Sequence, residues 1–144
     1  MKALVAYESR SGTTKRTAEA VSSALSAKGH EVITRPVGEV GQDDLVGVDV
    51  VFLGTWVEGF LVVGVGPAKA MRRWVSGLKG LPGTPTAVFC TYALNPRGTL
   101  ATLSSLLEIA GARVVAAQGF NRRQPTKDLD SFVEKALAAA SPSS

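Results

Sequence analysis

Short, nearly continuous runs of apolar residues are the feature that most constrains how this sequence can fold. A strand that helices cover on both faces needs apolar side chains on both, so such runs predict buried parallel strands. Four of them lie at residues 3–7, 50–53, 87–90 and 114–117. A fifth run, 31–37, alternates in polarity and contains Pro36, so we expect it at an edge of the sheet.

Apolar residues recur at helical spacing in four segments between and after these runs. The four stripes are Ala18, Val21 and Leu25; Ala70, Met71, Trp74, Val75 and Leu78; Leu103, Leu106, Leu107 and Ala110; and Leu129, Phe132, Val133 and Leu137. Gly29 and Gly111 follow the first and third stripes as helix stops. The alternation predicts an α/β fold with a mostly parallel, doubly wound sheet, right-handed crossovers and helices on both faces.

Composition narrows the class of protein further. The 144 residues, 45% of them hydrophobic, fit one domain at 1–140, followed by a tail at 141–144 that we expect to fray. The single cysteine, Cys90, cannot form an intramolecular disulfide, and no export or membrane segment is evident, so we expect a cytoplasmic protein without a membrane partner. Despite the net charge of +4, no basic run is interleaved with aromatic residues, which argues against a nucleic-acid partner.

The segment after the first strand is the most informative for function. It reads Glu-Ser-Arg-Ser-Gly-Thr-Thr over residues 8–14, with a helix expected from about Thr13. Successive backbone N–H groups at such a strand-to-helix turn form a cradle for an anion, and Gly12 allows close approach of the ligand. Four side chains add hydroxyl donors: Ser9, Ser11, Thr13 and Thr14. Helix capping alone is the alternative, but four hydroxyls around one glycine favour phosphate binding.

Residues 7–18 resemble the FMN-phosphate signature of flavodoxins: an aromatic, any residue, Ser or Thr, two variable residues, Gly, any residue, Thr, and Ala four positions on. The resemblance implies the flavodoxin-like strand order 2-1-3-4-5 and FMN as cofactor. It also implies phosphate contacts from residues 9–14. Arg10 is unusual in this family, and we expect it either to contact the phosphate or to point into solvent.

Two further segments resemble flavodoxin loops at the carboxyl ends of strands. Residues 54–59 are expected to form a loop in which Thr55, Trp56 and Val57 border the flavin and the indole covers one face of the isoalloxazine ring. Residues 90–97 are expected to form a shorter loop that brings Thr91, Tyr92 and Ala93 to the flavin edge. A tyrosine on the rim with its hydroxyl in water is an equal alternative for Tyr92. Trp74 is assigned to the core.

The sequence also argues against three other kinds of functional site. Cys90 and Arg97 are separated by six residues where a cysteine phosphatase loop has five, so Cys90 is better explained as a small buried side chain. A phospho-receiver domain needs an acidic cluster at the first strand, and only Glu8 stands there. His30 is the sole histidine and has no metal-ligand spacing.

The resemblance favours an FMN-binding electron carrier, without catalytic or metal-binding residues, over two alternatives. The first alternative is an FMN-dependent NAD(P)H:quinone-type reductase, in which the apolar segment 60–65 lines an acceptor site. That segment could equally form a dimer interface or pack as a loop against the core. The second is a binding module that kept the fold and lost the flavin. For a carrier, the positive charge predicts redox partner proteins with acidic docking surfaces.

Overall fold

The structure is a computed structural model that describes residues 1–10, 12–60, 63–67, 69–77, 83–93 and 98–140. Ser11, Leu78 and the predicted tail 141–144 lie outside these ranges. The strands are β1 Lys2–Glu8, β2 Glu31–Pro36, β3 Val50–Phe60, β4 Val63–Pro67, β5 Pro85–Tyr92 and β6 Arg113–Asn121. The α-helices are α1 Thr13–Ala27, α2 Lys69–Ser76, α3 Thr99–Ile109 and α4 Leu129–Ala140, with 3-10 turns at Val37–Glu39 and Gln42–Leu45.

Five parallel strands form the body of the sheet in the order β2-β1-β3-β5-β6. This confirms the predicted doubly wound sheet of order 2-1-3-4-5, because β5 and β6 are its fourth and fifth parallel strands. β2, which ends at Pro36, lies at an edge as expected. β4 was not predicted, and it pairs antiparallel with the far half of β3.

Both predicted glycine stops end their helices. Gly29 has a φ of 86° and donates its N–H to Ser26, while His30 donates to the carbonyl of Leu25. Gly111 has a φ of 97° and sits in the same arrangement at the end of α3. This pair of hydrogen bonds satisfies the last carbonyls of a helix and requires the left-handed backbone that glycine adopts at no steric cost.

The two faces of the sheet bury different kinds of side chain. Under α1 and α4, four phenyl rings meet edge to face with centroids 5.8 to 6.1 Å apart: Phe52, Phe89, Phe120 and Phe132. Under α2 and α3 the core is mainly aliphatic, with Leu53, Met71 and Leu107 fully buried. Trp74 packs against this second core while staying partly exposed, so its assignment to the core is only partly right.

Residues 54–59, predicted as a loop, instead continue β3 as far as Phe60. Gly54 looked like a strand end, but it pairs with Tyr7 and Phe89 within the parallel sheet. The glycine is needed there because a Cβ at residue 54 would lie 2.1 Å from Cζ of Phe89. The small residue therefore makes room for an aromatic ring and does not turn the chain.

Two further expectations change in the structure. Of the segment 60–65, Phe60 ends β3 and residues 63–65 belong to β4, with Phe60 paired to Val63, whereas residues 61 and 62 lie outside the described residues. The last parallel strand was expected to be buried on both faces, but in β6 only Ala116 and Phe120 are buried. β6 is an edge strand, so fewer helices and strands surround it.

Among the described residues, no helix is both long enough and apolar enough to span a membrane.

Candidate functional site

The register of the sheet brings the three predicted segments to neighbouring strand ends. Glu8, the last residue of β1, pairs with Thr55 of β3, and Trp56 pairs with Thr91 of β5. In a doubly wound sheet, ligands bind beyond the carboxyl ends of the strands, where the strand order reverses. That reversal falls between β1 and β3, so the three segments border one site.

The turn from β1 into α1 depends on Gly12. This residue precedes the helix with a φ of 90° and a ψ of −9°, and its carbonyl accepts the N–H of Arg16 at 3.0 Å. A Cβ at residue 12 would meet no atom within 4 Å, so the backbone angle and not crowding demands glycine. Gly12 therefore sets the direction in which the first amides of α1 point.

Two of those amides converge on one atom. The N–H groups of Gly12 and Lys15 both point to Oγ of Ser9, at N–O distances of 3.1 and 3.3 Å. The first turn of α1 carries no acidic side chain that would compete with an anion. Ser9 thus caps the helix in this structure, and it does so with the same donors that a phosphate oxygen would use.

The threonines of the first turn are buried and not free in solvent. Thr13 is 8% exposed and Thr14 1% exposed. The hydroxyl of Thr14 lies 2.7 Å from the hydroxyl of Thr91, which is 4% exposed at the end of β5. No sequence pattern indicates this contact, because 77 residues separate the two threonines.

Trp56 lies within β3 and not in a loop beyond it, which corrects its predicted position. Its indole is half-buried against the aliphatic core, so part of the ring is accessible. Thr55 beside it is fully buried and donates its hydroxyl proton to the carbonyl of Trp56 at 2.9 Å. Val57 is half-buried and pairs with Pro67 of β4.

Arg10 contacts the indole of Trp56. The guanidinium carbon lies 5.3 Å from the centroid of the ring, within the range of a cation–π interaction. Arg10 is exposed, and its contact with the indole is an interaction that was not among the roles expected for it. The contact joins the turn after β1 to the aromatic side chain that was predicted to cover a flavin.

Tyr92 is the last residue of β5, so Thr91 and Tyr92 are strand residues and not part of a loop. Its ring lies beside Gly119 of β6, where a Cβ would come within 3.0 Å of Cε1. The phenol side chain is half-buried, and Ala93 after it is exposed. Residues 94–97 of the predicted loop lie outside the described residues.

A cavity of about 630 Å³ borders Tyr92 on the side of β6. Arg123 and Lys127 contribute to its lining and are themselves exposed. Gln118 lies on its wall and donates a side-chain N–H to the carbonyl of Asp128 at 3.3 Å. This cavity was not predicted from the sequence, in which the paired Arg122 and Arg123 after β6 are the only local sign of it.

Cys90 lies beneath the site on β5 and is fully buried, as predicted. Burial penalises the charged thiolate and raises the pKa of the Cys90 thiol to about 12. A thiol that stays protonated at neutral pH is a poor nucleophile, which agrees with the rejection of a cysteine phosphatase. The described residues include no group of three His, Cys, Asp or Glu side chains placed to hold a metal ion.

Solved flavodoxin structures share this architecture over nearly their whole length. A flavodoxin from Streptococcus pneumoniae TIGR4 matches with a TM-score of 0.76 at 18% identity, over 96% of this chain and 99% of that one. Two-electron reduced Megasphaera elsdenii flavodoxin matches at 0.74 and 20% identity, over 96% and 97%. Flavodoxin 2 from Bacillus cereus matches at 0.69 and 25% identity, over 97% and 95%. No family model and no curated protein sequence matches this chain.

Sheet order and strand-end segments define a doubly wound α/β protein with its candidate site at the reversal of strand order. Because the matched structures are flavodoxins and almost the whole of each chain is covered, this chain has the flavodoxin-like fold. The resemblance first seen in residues 7–18 is confirmed at the level of the fold.

Proposed function

We propose that this protein binds FMN and carries electrons between redox partners, as a flavodoxin does. The observation that carries the proposal is the convergence of the Gly12 and Lys15 amides on one acceptor position. The indole of Trp56 is linked to the same turn through Arg10. When bound, FMN supplies the redox chemistry, and the protein binds, orients and tunes it.

The donor set suits a phosphate dianion. Backbone amides at the start of a helix favour negative charge, and no acidic side chain lies in the first turn of α1 to repel it. We propose that six consecutive residues hold the phosphate: Ser9, Arg10, Ser11, Gly12, Thr13 and Thr14. Ser9 would turn away from the two amides when the phosphate takes its place.

The residues proposed for the flavin ring lie where the parallel pairing of β3 with β5 ends, and at or just after the end of β5. They are Thr55, Trp56, Val57, Thr91, Tyr92 and Ala93. Trp56 and Tyr92 are both half-buried, so each is held by the protein and still offers a ring surface. Stacking on such a surface stabilises a bound flavin by about 1 kcal/mol beyond the area it buries.

An electron carrier is supported over an enzyme by the charge around the site. Four exposed cationic side chains lie on the turns after β1 and β6: Arg10, Arg122, Arg123 and Lys127. Such a basic rim favours partners with acidic docking surfaces and makes the association rate fall as salt rises. Electron transfer that occurs only through a separate reductase, at a rate that falls as ionic strength rises, would support this role. Direct turnover of NAD(P)H with a quinone would favour the reductase.

FMN titration followed by quenching of flavin fluorescence tests the cofactor. We expect saturable binding at one flavin per chain, and a yellow protein when it is purified with the cofactor. A colourless preparation that takes up no added FMN would overturn the proposal. Riboflavin, which has the same ring and no phosphate, should bind more weakly and so measures what the turn after β1 contributes.

One observation favours a second candidate, a binding module that has lost the flavin. Oγ of Ser9 already occupies the acceptor position at the start of α1. In a module, Ser9→Ala should change only helix stability. In a flavoprotein, it should also change the FMN affinity and leave the riboflavin affinity in place.

The positive surroundings also bear on the redox potential. A fully reduced, anionic flavin is disfavoured by nearby negative charge, and Arg10 places a positive charge at the predicted ring position. We therefore propose that full reduction is easier here than in acidic flavodoxins. A redox titration that gives a couple as negative as theirs would contradict this.

Two further proposals concern the setting of the protein. With its one buried cysteine, the chain needs no oxidising compartment, and we propose a cytoplasmic location, which cell fractionation tests. Phe60 and Val63 of the apolar segment 60–65 pair between β3 and β4, and we propose this segment as a dimer contact. Sedimentation at increasing concentration should then show a dimer, and a charged residue at Val63 should abolish it.

A further inference from the structure

The contact between Thr14 and Thr91 is a hydrogen bond between two buried hydroxyl groups. Their oxygens lie 2.7 Å apart, and the side chains are 1% and 4% exposed. Thr14 is in the first turn of α1, between the two residues whose amides converge on Ser9. Thr91 lies on β5, the next strand but one from β1 in the sheet. The contact therefore connects the proposed phosphate position to a strand on the far side of β3.

Either hydroxyl can be the donor, and the choice matters for an anion. A hydroxyl has a single proton, so one threonine of the pair gives its proton to the other, and the second keeps its own for another acceptor. A phosphate oxygen is a stronger acceptor than a neutral hydroxyl. With phosphate held at the turn after β1, the favoured arrangement is a chain in which Thr91 donates to Thr14 and Thr14 donates to the phosphate.

We propose that Thr91 is a positioning residue for the phosphate, whose hydroxyl donates to Thr14 and thereby orients the Thr14 hydroxyl so that its own proton points to the anion. This inference rests on the proposed binding of FMN. It gives Thr91 a role different from a contact with the flavin edge. Thr91 then influences only the phosphate end of the ligand, because it acts through Thr14.

The experiment compares FMN with riboflavin on four proteins. Thr91→Val removes the hydroxyl and keeps the shape of the side chain, whereas Thr91→Ser keeps the hydroxyl. Thr86→Val is the matched control, since Thr86 is a fully buried threonine of the same strand whose hydroxyl donates to the carbonyl of Thr84 at 3.1 Å. Dissociation constants for both flavins are measured by fluorescence quenching on the wild type and the three variants.

We expect Thr91→Val to weaken FMN binding by about fivefold, because Thr14 keeps its own proton and loses only the neutral hydrogen bond that orients its hydroxyl and strengthens it as a donor. Riboflavin binding should change by less than about twofold, because riboflavin has no phosphate. Thr91→Ser and Thr86→Val should bind FMN like the wild type. A double-mutant cycle sharpens the test: in a Thr14→Val background, adding Thr91→Val should have little further effect on FMN.

Equal weakening of FMN and riboflavin by Thr91→Val would overturn the inference, because it would show a purely structural role or a contact with the ring. Unchanged FMN binding, or failure of Thr91→Ser to retain it, would overturn it as well. If Thr91→Val does not fold, Thr91→Ala compared with Thr91→Ser gives the same contrast.

A phosphate measurement separates this inference from the proposed function. If wild-type protein binds neither flavin, the proposed function fails, and the stabilisation of the chain by inorganic phosphate is then compared between wild type and Thr91→Val. A larger rise of melting temperature in the wild type supports the role of Thr91 toward an anion. An equal rise, or none in either protein, overturns it.

Discussion

The two ends of the candidate site are built differently. The proposed phosphate end, defined here as Ser9, Gly12, Thr14 and Thr91, consists of backbone amides and hydroxyls joined by hydrogen bonds of 2.7 to 3.3 Å. The proposed ring end, defined as Trp56 and Tyr92, consists of aromatic side chains that are half-buried. One end is fixed by hydrogen bonding within the protein, and the other is accessible to solvent.

This difference shows how one edge of a sheet can both anchor a ligand and leave a ring surface accessible. Buried donors that are already oriented lose little entropy on binding, so they are suited to anchoring a ligand. An accessible ring surface allows another protein to approach closely, which electron transfer requires. We therefore expect substitutions at the phosphate end to discriminate between FMN and riboflavin, and substitutions at the ring end to affect both alike.

The largest expected effect comes from the strand that supports both ends. Gly54→Ala should lower the free energy of unfolding by about 3 kcal/mol, because its Cβ would lie 2.1 Å from the Phe89 ring. Gly38→Ala is the matched control, since a Cβ there meets no atom within 4 Å. Urea unfolding measures both. Equal stabilities for the two variants would show that β3 shifts without cost and does not fix the relative position of the ends.

The second prediction tests whether water reaches the interior of the sheet beneath the site. The pKa of the Cys90 thiol is raised from 9.0 to about 12, so its contribution to stability is complete below pH 9 and is lost as the pH rises toward 12. Within that window, the free energy of unfolding should fall by about 1.4 kcal/mol per pH unit from this group. Cys90→Ala should lack this component. Identical pH slopes in the two proteins would mean that water reaches the thiol.

The third prediction concerns the ring end. Trp56→Ala should weaken FMN and riboflavin by about tenfold each, because the indole acts on the ring that both flavins share. Trp74→Ala is the control, as Trp74 is also half-buried against the aliphatic core but lies on α2. Fluorescence quenching measures all four affinities. A loss confined to FMN would place Trp56 at the phosphate and break the division between the two ends.

The smallest effect is expected for the contact that connects the ends. Arg10→Ala should lower the free energy of unfolding by about 0.5 kcal/mol, the value of an exposed cation–π interaction. A double-mutant cycle with Trp56→Leu should show a coupling of similar size, and Arg10→Lys should keep most of it. Zero coupling would mean that the two side chains are neighbours without interacting.

Much of the architecture could be predicted because it follows from local patterns. Continuous apolar runs identify strands buried on both faces, and Gly29 and Gly111 mark helix ends through the backbone angle that they permit. The turn after β1 was also correctly located, with α1 beginning at Thr13. These features depend on a few consecutive residues, so the sequence contains the information directly.

The errors arise where burial by distant residues overrides a local signal. Gly54 alone suggests a strand end, and only the position of the Phe89 ring shows why a glycine is needed within the strand. β6 has an apolar sequence, but at the edge of the sheet only Ala116 and Phe120 are buried. The hairpin of β3 and β4 was missed because its glycines predict a loop when they are considered alone. None of these contacts can be predicted until the arrangement of the strands in the sheet is known.

By itself, the sequence determined the order of the parallel strands and α-helices along the chain, the position of the turn after β1 and the residue types available at the candidate site. Only the tertiary structure decided that Thr14 meets Thr91, that Arg10 covers Trp56 and that Tyr92 borders a cavity. The physical reason is range: backbone angles and side-chain periodicity act over a few residues, whereas the sheet register brings together groups far apart in the chain.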